Sequence, residues 1–348
     1  MKRFSKKPVD PISVEADATV DRFVTQLSEV SFQARNLGTA VDIWEKMLDD
    51  EAMIFFGLAG AMVPAGMRKI VSFLVKNRFV DCVVSTGANL FHDCHETLGY
   101  FHWRGSHQAD DLVLKESSID RIYDTFASEN EFRLTDDFIT RFTAELRREE
   151  PLTTREFLHL LGKKLAEKTD NEGILTSAFK AGVPVYCPAL GDSSIGIAVA
   201  VGRSRGENKV MFDIAADVLE TARLATPSFS ACSSTGVVYV GGGVPKNFIQ
   251  QTEVTISILG EEAAGHKYAV QIITDPPHWG GLSGCTFEEA QSWGKIATEA
   301  LKTTVYSDAT IALPLIATAL ATRRKGNLKK RRKPQFEMGH TLGMSRRV

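Results

Sequence analysis

The chain has 348 residues, 43% of them apolar and 24% charged, with a formal net charge of −2. That balance describes a globular protein able to bury a sizeable core, with no bulk electrostatic draw toward nucleic acid or an anionic membrane. No stretch reaches eighteen uninterrupted apolar residues, so no transmembrane helix is expected; five scattered cysteines without a Cys-x-x-Cys pair suit a reducing cytoplasm.

Residues 1–18 are polar and proline-bearing. The basic start, Met-Lys-Arg-Phe-Ser-Lys-Lys-Pro, runs into Val-Asp-Pro rather than an apolar stretch, and reads as an arm, not a signal peptide. Residues 20–49 place Phe23, Leu27, Val30 and Phe32, then Ala40, Ile43, Trp44 and Met47, near helical spacing. An apolar run of strand length at 52–58 meets a glycine-bearing turn at 57–66. Helical periodicity follows at 67–78, then a second apolar run at 80–85 and Thr86-Gly87-Ala88-Asn89. Strand, glycine turn, helix and strand again predict an α/β fold. The expected architecture is Rossmann-like, a mostly parallel sheet with helices on both faces and ligands at the carboxyl ends of its strands.

Residues 91–107 hold His92, His95, His102 and His107 with Asp93, Cys94 and Glu96 among them. His-x-x-His can offer two metal ligands, but no second pair stands at a familiar spacing. The cluster reads as a polar active-site loop or plain surface, and no metal is expected. Residues 120–127 look irregular, 136–149 and 154–168 read as charged amphipathic helices, and 169–182 as a loop crossing. A short strand at 183–186 precedes a turn of small residues containing Asp192. A helix is expected at 214–224, strands at 237–240 and 268–274, and a last apolar helix at 310–322. Eight lysines and arginines then fall within 323–333. Such a run reads as a solvated tail, lacking the interleaved aromatics that stack on nucleic acid. The chain thus divides into an arm (1–18), one catalytic domain (19–322) and a basic tail (323–348).

Two stretches carry chemistry. At 237–250 a strand ends in Gly241-Gly242-Gly243, which allows close backbone approach to a phosphate, with a helix dipole behind it. Alone it is a weak dinucleotide signal. The second, from Gly281, opens as a glycine loop. Thr286 then reads as an N-cap with Glu289 closing a capping box, and a helix of about fifteen residues is expected through about residue 302. A lone lysine, Lys295, lies beside Trp293 and Ile296. A desolvated amine is a nucleophile for imines and carbonyls, although a lysine on an amphipathic helix is more often a surface residue. On that helix Glu289 and Trp293 share a face, while Lys295 lies about 200° round from Trp293.

The word Glu-Ala-x-Ser-Trp-Gly-Lys-Ile at 289–296 closely resembles the active-site segment of deoxyhypusine synthases, and the resemblance runs in order through about residues 20–322. It implies that Lys295 is the nucleophile carrying a covalent imine, that Trp293 packs on an aminobutyl chain and that Glu289 holds an amine. It also implies NAD at Gly60, Ala61, Thr86, Gly87, Ala88, Asp192, Gly242, Thr274, Asp275, Asp308 and Ala309. His92, Asn247 and Ser283 then fall at substrate positions. The implied activity is transfer of the aminobutyl group of a polyamine such as spermidine to a protein lysine or a free diamine. A homotetramer with paired sites at dimer interfaces is implied as well. The pattern departs at Ile197 and Leu282, where acids are expected, at Asn247, where a histidine is expected, and at Phe91-His92, where an acidic pair is expected. A shell with fewer carboxylates binds cationic amines less well, so the donor, the acceptor or both are expected to differ. A homospermidine synthase-like enzyme and a non-catalytic NAD-binding homologue are the alternatives.

Overall fold

The computed structural model of the protein describes residues 7–345 except 148, 228, 230–231 and 327–330. Six parallel strands form its centre, interleaved in sequence with a small antiparallel sheet. In chain order the strands are β1 (Met53–Leu58), β2 (Cys82–Ser85), β3 (Trp103–Arg104), β4 (Ile119–Ile122), β5 (Thr125–Ser128), β6 (Val185–Tyr186), β7 (Thr235–Val240), β8 (His266–Ile273) and β9 (Ile296–Tyr306). The helices are α1 (Val20–Glu29), α2 (Phe32–Asp49), α3 (Arg68–Lys76), α4 (Gly87–Thr97), α5 (Asp111–Glu116), α6 (Glu129–Glu145) and α7 (Thr154–Lys168). They continue with α8 (Ile174–Ala181), α9 (Ser194–Ser204), α10 (Ile214–Ala225), α11 (Gly243–Ile258), α12 (Phe287–Ser292) and α13 (Ala309–Arg323).

The main sheet has the order β6-β2-β1-β7-β8-β9, every neighbour parallel. The chain winds outward from β1 in one direction, then restarts at β7 and winds outward in the other. The order therefore reverses between β1 and β7, where a doubly wound sheet leaves a crevice at its carboxyl edge. Strand residues alternate between two cores. Ile54, Phe56, Val83, Val238 and Val270 face one, with Trp44, Leu74, Leu90 and Ile316 packed on them. Phe55, Val84, Val237, Tyr239 and Ala269 face the other, against Ile249, Ile256, Phe287 and Ala290. Burial on both faces explains why the strands read as continuous apolar runs rather than alternating ones. The expected Rossmann-like fold is the observed one.

Several local expectations give way. Residues 120–127 are not irregular: β4 and β5 pair with β3 in an antiparallel sheet. The crossing at 169–182 contains α8, capped by Gly182 in the left-handed region at φ +62°. The histidine segment is helical, with His92 and His95 on α4 and Thr86 as its N-cap. The largest change follows Thr286, whose hydroxyl does cap Glu289 N at 3.1 Å. The helix it starts lasts six residues, not fifteen. Gly294 at φ +70° then turns the chain, and the β-branched residues Ile296, Thr298, Thr303, Thr304 and Val305 continue as β9 along β8.

The basic run is also not a free tail. Arg323 pairs with Asp21, Asp42 and Glu45, and Arg324 pairs with Asp49. Arg331 is buried against Asp81. Lys329 and Lys330 lie outside the described residues. Beyond them a hairpin of β10 (Gln335–Met338) and β11 (Leu342–Ser345) docks on the body. Arg155 donates to its Gly339 and His340 carbonyls at 2.7 and 2.9 Å. Phe336 and Met338 pack on the second core.

Candidate active site

Each cofactor position implied by the sequence follows the carboxyl end of a strand. Gly60 and Ala61 follow β1, Thr86, Gly87 and Ala88 follow β2, and Asp192 follows β6. Gly242 follows β7, Thr274 and Asp275 follow β8, and Asp308 and Ala309 follow β9. Parallel winding thus gathers residues separated by up to 249 positions onto one edge. Asn89 ties two of these turns together, donating to Gly60 O at 2.7 Å and to Thr86 Oγ1 at 3.2 Å. Gly87 is pressed against Ser193, the N-cap of α9. Asp308 caps α13, accepting from Thr310 N at 2.7 Å and Thr310 Oγ1 at 2.6 Å. Those two bonds hold its exposed carboxyl below the usual range, so it is an ionised acceptor facing solvent.

The triple glycine is used differently from its sequence reading. Gly241 and Gly243 have φ of +74° and +56°, which only glycine adopts readily. Gly242 lies at φ −157°, ψ −118°, and a Cβ there would meet Ser283 Cα at 2.5 Å. The space above Gly242 is therefore filled by the protein's own glycine loop. Ser283 Oγ accepts from Gly243 N at 3.0 Å and completes the contact. Gly242→Val is expected to dislodge loop 280–285 even without ligand, read as accelerated proteolytic cleavage of that loop and a lowered Tm. An unchanged apo protein would leave ligand exclusion as the cause.

Lys295 occupies the turn between α12 and β9. Its backbone is fixed at both ends, its N–H donating to Ala290 O and its carbonyl accepting from His266 N, both at 3.1 Å. Only 8% of its surface is exposed, with Nζ 3.5 Å from Asn247 Oδ1 and 5.1 Å from the Trp293 ring centre. The helical obstacle between Trp293 and Lys295 disappears because Gly294 ends the helix between them. Among the described residues no carboxylate forms an ion pair with Lys295. Glu289 is exposed one turn upstream, and Trp293 keeps 65% of its surface open.

Beneath this group lies a second lysine that the sequence did not single out. Lys246 is 1% exposed, and its Nζ donates to Gln271 Oε1 at 3.0 Å, Ser283 O at 3.3 Å and Cys285 O at 2.5 Å. Burial pushes its amine down to about 8; Cys285 and Glu289 oppose the shift and Lys295 adds to it. Gln271 also donates to Gly241 O and Ser283 O, so the pair fastens the glycine loop to two strand ends. A lone lysine in the first turn after three glycines was a visible signal, but its burial was not. His92 lies apart from Lys295, within a cluster with His95, Glu96 and His102. Among the described residues no group of three side chains is gathered to hold a metal ion.

Pro64, Gly66, Glu96, His102, Arg104, Gly105, Asp124 and Thr310 line a cavity of about 510 Å³ beside the Asp308 cap. A doubly wound α/β protein with such a cavity at its strand ends, and a desolvated lysine beside an open indole, belongs to the class built for chemistry on small molecules. The comparisons sharpen that to a family. The family model for deoxyhypusine synthase matches residues 22–320, and the chain belongs to this family of transferases. It is 50% identical over 343 residues to "Probable deoxyhypusine synthase 2" of Methanosarcina mazei, covering 98% of this chain and 97% of that protein. "Deoxyhypusine synthase-like protein" of Chlorobaculum parvum is 38% identical, covering 90% of this chain and 89% of its own. A crystal structure from Entamoeba histolytica, whose description names deoxyhypusine synthase, matches with a TM-score of 0.58 at 21% identity. It covers 87% of this chain and 93% of that one, and speaks to the fold alone.

Proposed function

We propose that this chain is an NAD-dependent aminobutyl transferase acting through an imine on Lys295. The observation that carries the reading is the near-complete burial of the Lys295 amine beside Trp293 and Asn247, without a carboxylate counter-charge, in a member of the deoxyhypusine synthase family. A lysine amine held at a fixed turn beside an open indole is placed to attack an electrophilic carbon in the manner of covalent amine catalysis.

The residues at the strand ends, apart from Gly242 whose near space Ser283 fills, would hold NAD. The cavity has an ordinary ligand-pocket size, and the ionised Asp308 cap suits a ribose hydroxyl rather than a phosphate. NAD supplies a hydride acceptor that makes the carbon beside a secondary amine electrophilic and returns the hydride at the end. Lys295 Nζ adds to that carbon, expels the departing amine and holds the aminobutyl group. Trp293 covers the alkyl chain, and Glu289 and Asn247 orient the nitrogen ends. The acceptor amine then displaces Lys295. The carboxylates missing at Ile197 and Leu282 leave exposed apolar surface, 58% and 49% open, which favours a donor less charged at that end than spermidine or a second copy of the chain covering the site. The decisive experiment is incubation with NAD and a panel of polyamines, with and without a protein acceptor, followed by mass analysis of products. Absence of any transferred alkylamine would refute the assignment.

NAD at saturating concentration is expected to raise the Tm by several degrees, and Asp308→Ala to reduce the gain. No shift in the wild type would remove NAD from the reading.

A further inference from the structure

A buried acid on α11 holds the backbone beside the Lys295 turn. Glu253 is 3% exposed, and its Oε2 accepts from Gly265 N at 3.0 Å. Gly265 lies in the left-handed region at φ +73°, and a Cβ there would meet Ala297 N at 2.6 Å and Ile296 C at 2.9 Å. Its backbone therefore lies directly against the two residues that follow Lys295. The next residue, His266, donates its N–H to the Lys295 carbonyl at 3.1 Å. One helix thus reaches the lysine twice. Asn247 Oδ1 lies 3.5 Å from Nζ, and Glu253 secures the backbone through Gly265 and His266.

The His266 ring is fully buried and held at both nitrogens. Its Nε2 lies 3.4 Å from the Ile249 carbonyl, which only accepts, so Nε2 carries the proton and Nδ1 accepts from Thr235 Oγ1 at 2.8 Å. Burial pushes this imidazole down to about 4, so it stays neutral. Glu253 Oε1 is 3.5 Å from His266 Nδ1, and among the described residues no lysine or arginine forms an ion pair with Glu253. Burial, opposed by the Gly265 N–H, pushes the acid up to about 7. What the structure asks of Glu253 is therefore an acceptor oxygen at the reach of this side chain, a role that a neutral carboxyl or an amide also fills. Close packing does not take its place. Glu253, Gly265 and Ala297 line a hollow of about 220 Å³ together with Ser234, Thr235 and Lys267. A turn set beside a hollow depends on its hydrogen bonds for its position.

We propose that Glu253 is a positioning residue for the Lys295 amine, fixing the Lys295 turn through Gly265 and His266. This rests on the amine-transfer reading above and adds to it the group that sets where the nucleophile's backbone stands. Attack by Nζ needs the reacting atoms within about 3–3.5 Å and in line, so a displacement of about 1 Å at the turn is felt in the rate. Glu253 reaches the turn only from α11 and touches none of the strand-end residues implied for NAD, so ligand binding is unaffected by its loss. Two conservative changes separate reach from charge. Glu253→Asp keeps the acid but withdraws the acceptor by one C–C bond, about 1.5 Å. Glu253→Gln gives up the acid and keeps an acceptor oxygen at the same reach. Positioning through Gly265 requires that the amide succeed where the shorter acid fails.

The test compares the full-length wild type with Glu253→Asp and Glu253→Gln. Its first arm follows amide hydrogen exchange without NAD or amine. In Glu253→Asp the His266 and Lys295 N–H groups should exchange roughly 10-fold faster or more, as for loss of one buried hydrogen bond. The Gly243 N–H, bonded to Ser283 in the glycine loop, should keep its rate, which a general loss of stability would not allow. Glu253→Gln should exchange as the wild type does. Unmoved exchange at Lys295 in Glu253→Asp, or Glu253→Gln behaving as Glu253→Asp, overturns the proposal. The second arm measures transfer with NAD and spermidine, or with the panel amine that the wild type turns over. Glu253→Asp should lose kcat by up to roughly 100-fold with KM for NAD and amine close to wild type, and Glu253→Gln should regain most of it. Wild-type kcat in a Glu253→Asp protein whose turn has loosened overturns the positioning role. Wild-type protein that transfers no alkylamine from any amine refutes the transferase reading, whereas the exchange arm judges the hold on the turn by itself.

Discussion

Lys295→Arg is expected to lose alkyl transfer by at least roughly 10³-fold, as for loss of a covalent nucleophile, while remaining folded. Arginine preserves a cation beside Trp293 and Asn247 but forms no imine. Trp293 is largely open, so the longer head can be accommodated by moving the indole. Slow NAD-dependent cleavage of the donor should survive, because hydride removal precedes lysine attack. Borohydride added to turning-over wild type should leave an adduct on the peptide containing Trp293-Gly294-Lys295, and none in the variant. Wild-type transfer in Lys295→Arg would sink the imine mechanism for any amine substrate.

The parallel sheet was legible because strands buried on both faces must be apolar throughout, as at 52–58, 80–85 and 237–240. The glycine and threonine turns after them were legible because strand ends in such sheets need caps and tight reversals. Lys295 was found through the word around it, yet its setting was misplaced. Residues 287–302 carry mixed propensities, and what converts residue 296 onward to strand is the free edge of β8, a partner distant in sequence. α8 was hidden for a related reason. Its N-terminal N–H groups, Ile174 N and Leu175 N, are satisfied at 2.7 and 2.8 Å by Asp93, eighty residues upstream. His92 and His102 were visible as members of a histidine cluster, but only the fold of α4 against the segment at 102 shows which nitrogen meets which. Phe91-His92 reads as the loss of an acid, and Glu96 one turn on reaches His92 only through His102.

The second large effect concerns stability and falls at the other edge of the sheet. Asp81, fully buried before β2, accepts from Ile54 N at 3.0 Å, Arg78 at 3.0 Å and Arg331 at 2.6 Å. Arg331 also donates to the Ala52 carbonyl, and Arg78 to the Pro334 carbonyl at 2.7 Å, so this cluster pins the segment leading into the terminal hairpin. Arg331→Ala leaves a buried carboxylate short of one cation and is expected to cost roughly 3–5 kcal/mol. Burial alone would raise the Asp81 carboxyl, but Arg331 and Arg78 together hold it below its usual value. The sign follows: the unfolded chain takes up this proton first as pH falls, so the contribution is whole above the ordinary carboxylate range. It is lost as pH drops through the lower, folded value. Denaturant midpoints measured from pH 7 downward should therefore converge for wild type and Arg331→Ala as acid removes the carboxylate. A constant gap across that range would mean that Arg331 acts through packing and its Ala52 carbonyl bond rather than through Asp81.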